Sequence, residues 1–196
     1  EELLPALVRH GVGLLRDGLE QRCFCGPQKS LAREVYEGDD SAIDGAVDAF
    51  DMVSLADVLW ACAEAQFRDN EFLQLCSEYM TQGLRQPRFN VTRFIRGPSV
   101  LAKALHAYAR LSLGPRSLYE AAAPHFLRNM DSLRFQQVAS LIFVYAVSGS
   151  LDPWLLAALD ARLRALVGTG GQPQLSEMEV ADLKWGLHEL GLGDAE

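Results

Sequence analysis

The sequence predicts an all-α fold, an α-solenoid of stacked antiparallel helical hairpins with about three and a half repeats of 37–46 residues. Three observations predict it. The stretch LADVLWACAEA at residues 55–65 recurs as LAKALHAYARL (101–111), VASLIFVYAVS (138–148) and VADLKWGLHEL (180–190). A second apolar helical stretch follows the first three copies at a constant distance, starting at Phe72, Leu118 and Leu155, each 17 residues after the start of its unit. The unit starts themselves are 46, 37 and 42 residues apart, so extra length falls only between units. Loops absorb insertions and packed helices do not, which is how helical-hairpin arrays vary.

Within the first stretch, position one is Leu55, Leu101, Val138 and Val180, and position two is alanine throughout (Ala56, Ala102, Ala139, Ala181). Position six is bulky and planar (Trp60, His106, Phe143, Trp185), and position seven is small (Ala61, Ala107, Val144, Gly186). Small residues at two and seven let this helix approach neighbours on more than one side, so it is apolar nearly all round. The second helices read FLQLCSEYM (72–80), LYEAAAPHF (118–126) and LLAALDARL (155–163).

The connections carry turn residues: Arg68-Asp69-Asn70, Gly114-Pro115, and the SGSLDP run ending at Pro153. Asp152-Pro153 fits a helix start, with aspartate as cap and proline at the first helical position. Glu177 and Glu179 suit the amino terminus of the last helix through its dipole. By composition IFVYAV (142–147) also suits a buried strand, but its register against three helical relatives argues for helix. Residues 51–196 form the array, with units starting near 55, 101, 138 and 180. Residues 1–50 read as an amino-terminal helical cap or a degenerate repeat. In it, 3–25 and 41–50 look helical, and the acidic stretch 37–51 is a loop or an interrupted helix.

The composition, 49% hydrophobic and 22% charged, is that of a globular chain. No apolar run approaches the ~20 residues needed to span a bilayer, so no membrane insertion is expected. No targeting segment is legible, and a chain starting at Glu1 leaves a processed or partial protein open. Cys62 and Cys76 sit in helical patterns as small apolar residues. Cys23 and Cys25 form a C-x-C with no second ligand pair at zinc-finger spacing, so no metal is expected. A reducing compartment makes the Asn90-Val91-Thr92 sequon coincidental.

The formal net charge is −8, which argues against a nucleic-acid partner for the chain as a whole. Its distribution is uneven. Residues 79–119 contain no acid and seven bases (Arg85, Arg88, Arg93, Arg96, Lys103, Arg110, Arg116), whereas 1–78 carry −10 and 120–196 carry −5. The longest insertion, QGLRQPRFNVTRFIRGPS (82–99), interleaves four arginines with Phe89 and Phe94. Guanidiniums meet phosphates and rings offer stacking faces, so Arg85, Arg88, Phe89, Arg93, Phe94, Arg96 and Lys103 are the candidate RNA-binding residues. The same arginines also suit an acidic face of a protein neighbour or of this chain, with Phe89 and Phe94 as packing under a long loop, and the sequence alone leans slightly to that pairing.

No phosphate-binding glycine loop, dinucleotide fingerprint, H-E-x-x-H or G-x-S-x-G is present. The GTGG run at 168–171 lacks the lysine and the preceding strand. His10, His106, His125 and His188 are scattered, and no catalytic carboxylate pair is visible. The reading is therefore of a non-enzyme without cofactor.

The pattern L-A-x-x-L-W-A-x-A with a second helix 17 residues on resembles the repeats of octotricopeptide-like arrays and those upstream of FAST-kinase-like and RAP domains. The resemblance covers about residues 50–190. It implies a mitochondrial or plastid protein engaged in RNA binding, RNA processing or ribosome architecture. This chain departs from such proteins in being short and acidic and in lacking a recognisable RAP domain. The expectation is therefore an architectural subunit of an organellar ribonucleoprotein, above all a mitochondrial ribosome, touching rRNA on one edge and neighbouring proteins on the others. The alternative is a pure protein-protein scaffold in a mitochondrial membrane complex, or an adaptor.

Overall fold

The computed structural model describes residues 3–24, 52–85, 97–150, 152–168 and 175–192, and among them it is all helical. The helices are α1 (Leu3–Phe24), α2 (Met52–Glu64), α3 (Asn70–Arg85), α4 (Pro98–Arg110), α5 (Arg116–Arg128), α6 (Phe135–Ser148), α7 (Pro153–Gly168) and α8 (Glu177–Glu189). A single 3-10 turn, Met130–Ser132, joins α5 to α6. The IFVYAV segment lies inside α6, so register against its relatives outweighs the strand-like composition.

Local chemistry sets the boundaries. Asp69 accepts from the amide of Phe72 at 2.9 Å, and Asp152 from those of Trp154 (2.9 Å) and Leu155 (3.2 Å), capping α3 and α7. Proline opens both α4 and α7. Ser176 and Glu179 form a reciprocal capping box at α8. Gly149, left-handed at φ 60°, ends α6.

The helices pack in two successions. The first helices of the units follow one another, α2 on α4, α4 on α6 and α6 on α8; the second helices do likewise, α3 on α5 and α5 on α7, and α1 packs on α3. Leu55, Leu101 and Val138 at position one, and Phe72, Leu118 and Leu155 opening the second helices, are all fully buried between them. Fully burying one such side chain contributes about 1.5–3 kcal/mol.

The small positions behave as contact points. Position two is buried in α2, α4 and α6 and exposed in α8, whereas position seven is exposed in α2 and buried in α4, α6 and α8. Position two therefore faces the following helix and position seven the preceding one. At Gly186, position seven of α8, a Cβ would lie 3.0 Å from Ile142 Cγ2 and 3.1 Å from the Phe143 amide nitrogen.

The row that receives the next helix is completed by positions five and nine. It runs Ala56-Leu59-Ala63 in α2, Ala102-Leu105-Ala109 in α4 and Ala139-Ile142-Ala146 in α6. In α8 it becomes Ala181-Lys184-His188, all exposed.

Two buried tyrosines tie the successions together with the same bond. Tyr108 and Tyr145 occupy position eight of their units. Tyr108 donates to the Leu73 carbonyl at 2.6 Å and Tyr145 to the Tyr119 carbonyl at 3.0 Å. Both acceptors lie 18 residues after the start of the preceding unit. Each buried bond contributes about 1 kcal/mol net.

Candidate interaction surface

Equal positions of successive first helices meet, so these helices run parallel and in register. Along position six the rings of Trp60, His106, Phe143 and Trp185 form a continuous column, with centroids 5.5, 5.3 and 5.7 Å apart. The contacts are tilted or edge-on, the arrangements aromatic quadrupoles favour, at about 0.5–1.5 kcal/mol per pair beyond burial.

Ion pairs flank the column in the same register. Asp57 receives Lys103 at 2.6 Å, position three to position three, and Glu64 receives Arg110 at 2.6 Å, position ten to position ten. Lys103 Nζ also lies 5.7 Å from the Trp60 ring centre. These pairs are partly exposed and add little stability. Their consequence is that both cations are neutralised within the chain.

Over the column lies an open groove of about 580 Å³, lined by Trp60, Lys103, His106, Arg110, Met178 and Asp182 among others. That volume is in the usual range for a ligand or side-chain site. His106 forms its floor and is 2.5 Å from Ser140 Oγ. Burial pushes its pKa below the usual histidine value; Asp182 opposes this and Arg110 adds to it. The imidazole is therefore neutral at pH 7. The unpaired charge of the groove is negative: among the described residues Asp182 has no cationic partner, and Glu179 is held by the Ser176 cap.

The candidate RNA-binding residues fall in three places. Arg85 is exposed in the last turn of α3. Lys103 is on the groove wall, engaged with Asp57 and Trp60. Arg88, Phe89, Arg93, Phe94 and Arg96 lie outside the described residues, as do the 41–50 segment and Cys25. Arg116, from the same basic window, pairs with Glu120 at 2.8 Å.

The ring column and its flanking pairs were missed as a surface. Their signal was the shared planar character of position six, together with opposite charges at positions three and ten of the first two units. No helix among the described residues is long and apolar enough to cross a membrane. No protein-family model, no curated protein and no solved structure matches the chain.

Proposed function

We propose that the chain is a non-enzymatic α-solenoid acting as an architectural subunit of an organellar ribonucleoprotein, most simply a mitochondrial ribosome. The observation that carries the solenoid is register: position six of each first helix touches position six of the next through three successive junctions. Such stacking leaves elongated surfaces rather than an enclosed catalytic pocket, and those surfaces hold partners. The RNA contact is assigned to the arginine-bearing insertion, with Arg85, Arg88, Arg93 and Arg96 on phosphates and Phe89 and Phe94 as stacking faces. The resemblance to organellar RNA-associated repeats and the acid-free window support it.

A salt titration of binding to single-stranded RNA tests the assignment. Each phosphate contact steepens the fall of log affinity with log salt by about 0.7. Replacing the four arginines with glutamine flattens that slope and weakens binding; unchanged slope and affinity refute the RNA contact. Whether the protein co-purifies with an rRNA-containing particle tests the assembly.

A second reading, a protein-protein scaffold without RNA, is favoured by one observation. Lys103, Arg110 and Arg116 are already paired with carboxylates of this chain, which lowers the field available to phosphates. Salt-insensitive association with a protein complex lacking RNA is its expected signature.

A further inference from the structure

The junction between α2 and α4 shows how this stack holds a cation. Asp57 and Trp60, three residues apart on α2, take Lys103 between carboxylate and indole, and Glu64, four residues further on, takes Arg110. The same acid, tryptophan, acid spacing recurs on α8 as Asp182, Trp185 and Glu189. There it is open. Trp185 is 42% exposed and Met178, in the first turn of the same helix, 57% exposed, and neither acid forms an ion pair among the described residues. Asp182 also lines the groove over the ring column, where the paired cations leave the uncompensated charge negative.

We propose that the outer edge of α8 is a docking site for a basic segment of a partner protein, which sets one lysine or arginine against Asp182 and Trp185 and a second against Glu189. A carboxylate beside an indole face selects a cation over an anion through ion pairing and cation–π attraction together. A second copy of this chain stacked in the same register does not fit. Its α2 would bring Asp57 and Glu64 against Asp182 and Glu189, like charge on like. Nor does the partner sink to the depth of α4, because Lys184 occupies the inner row of α8. It lies along the outer row. The inference rests on the scaffold reading of the stack and names its partner by chemistry; it does not depend on the RNA contact.

The probe is a labelled peptide of residues 98–113, which carries Lys103 and Arg110 at the required spacing, titrated into the full chain by fluorescence anisotropy. The chain variant Asp182→Lys with Glu189→Lys changes one half-buried and one exposed side chain, and circular dichroism verifies its fold. Binding that weakens with salt, falls about tenfold or more in the variant and returns when the peptide carries Lys103→Glu and Arg110→Glu supports the site. Peptide binding unchanged by the variant overturns it. So does self-association of the chain that the variant abolishes, or a single-stranded RNA oligonucleotide that displaces the peptide and loses its own binding in the variant. If native partners co-purify equally with the variant, this edge is refuted while the scaffold reading stands.

Discussion

Replacing Gly186 by alanine probes the closest approach in the stack. A methyl group there would sit 3.0 Å from Ile142 Cγ2, 3.1 Å from the Phe143 nitrogen and 3.2 Å from the Ile142 carbonyl carbon. Two of these atoms are backbone of α6, so relief requires one helix to move away from the other, at about 1–3 kcal/mol. Alanine also gains about 1 kcal/mol over glycine in a helix interior, which complicates a single measurement. Gly13, an exposed position of α1 with nothing within 4 Å of its added Cβ, supplies the reference. Gly13→Ala should stabilise by about 1 kcal/mol, and the difference between the two variants isolates the clash. Urea unfolding followed by far-UV circular dichroism measures it, and each kcal/mol should also appear as about 2–4 °C in Tm. Because Trp185 packs edge-on against Phe143, the Gly186 variant should shift tryptophan emission to the red as well. If Gly186→Ala stabilises as much as Gly13→Ala, α8 does not lie this close to α6 and the account of position seven fails.

Tyr108→Phe and Tyr145→Phe each remove a buried hydroxyl from a main-chain carbonyl and should each cost about 1 kcal/mol in chemical denaturation; no loss in either would deny the inter-unit bond. His106 and His125 both have their pKa lowered by burial. The unfolded chain therefore takes up protons first as pH falls below its ordinary value near 6.5, and the stability these groups contribute, complete above that value, is lost as pH falls further. Tm should decline below about pH 6.5, and His125→Gln should lessen the decline; a slope unaltered by that change would argue against a buried neutral imidazole there. Cys62 is pushed up to about 11 by burial and then by Asp69, and Cys76 is raised well above its ordinary value, also by burial. Both thiols should resist alkylation in the native protein and react once it is unfolded, as peptide mass spectrometry would read; fast native labelling of either would contradict the burial of Cys62 in α2 and Cys76 in α3.

The helices and their order were legible because steric demands repeat: alanine at position two and a small residue at position seven mark helices that touch on two sides. The helical state of IFVYAV was legible for the same reason, since composition alone favours a strand. Other features depend on proximity that a linear reading does not supply. Lys103 belongs to an acid-free window along the chain, yet its nearest carboxylate, Asp57, comes from 46 residues upstream. Window counting cannot see that neutralisation, so the basic patch reads stronger than it is. The bonds from Tyr108 and Tyr145 end on main-chain carbonyls, which leave no mark in side-chain identity. The ring column lies between these cases: its members share a planar character, but only parallel, in-register packing brings them into contact.

The substitution of Lys184 for the leucine or isoleucine of the earlier helices makes the stack directional. A hairpin appended behind α8 would have to strip water from an ammonium group with no carboxylate facing it, a penalty of several kcal/mol. The same hairpin inserted ahead of α8 would meet Ala139, Ile142 and Ala146 and offer a matching row onward. A further hairpin of the same kind therefore fits ahead of α8 far more easily than behind it. Lys184→Leu would give α8 the apolar row of the earlier helices and turn that surface into an adhesive one.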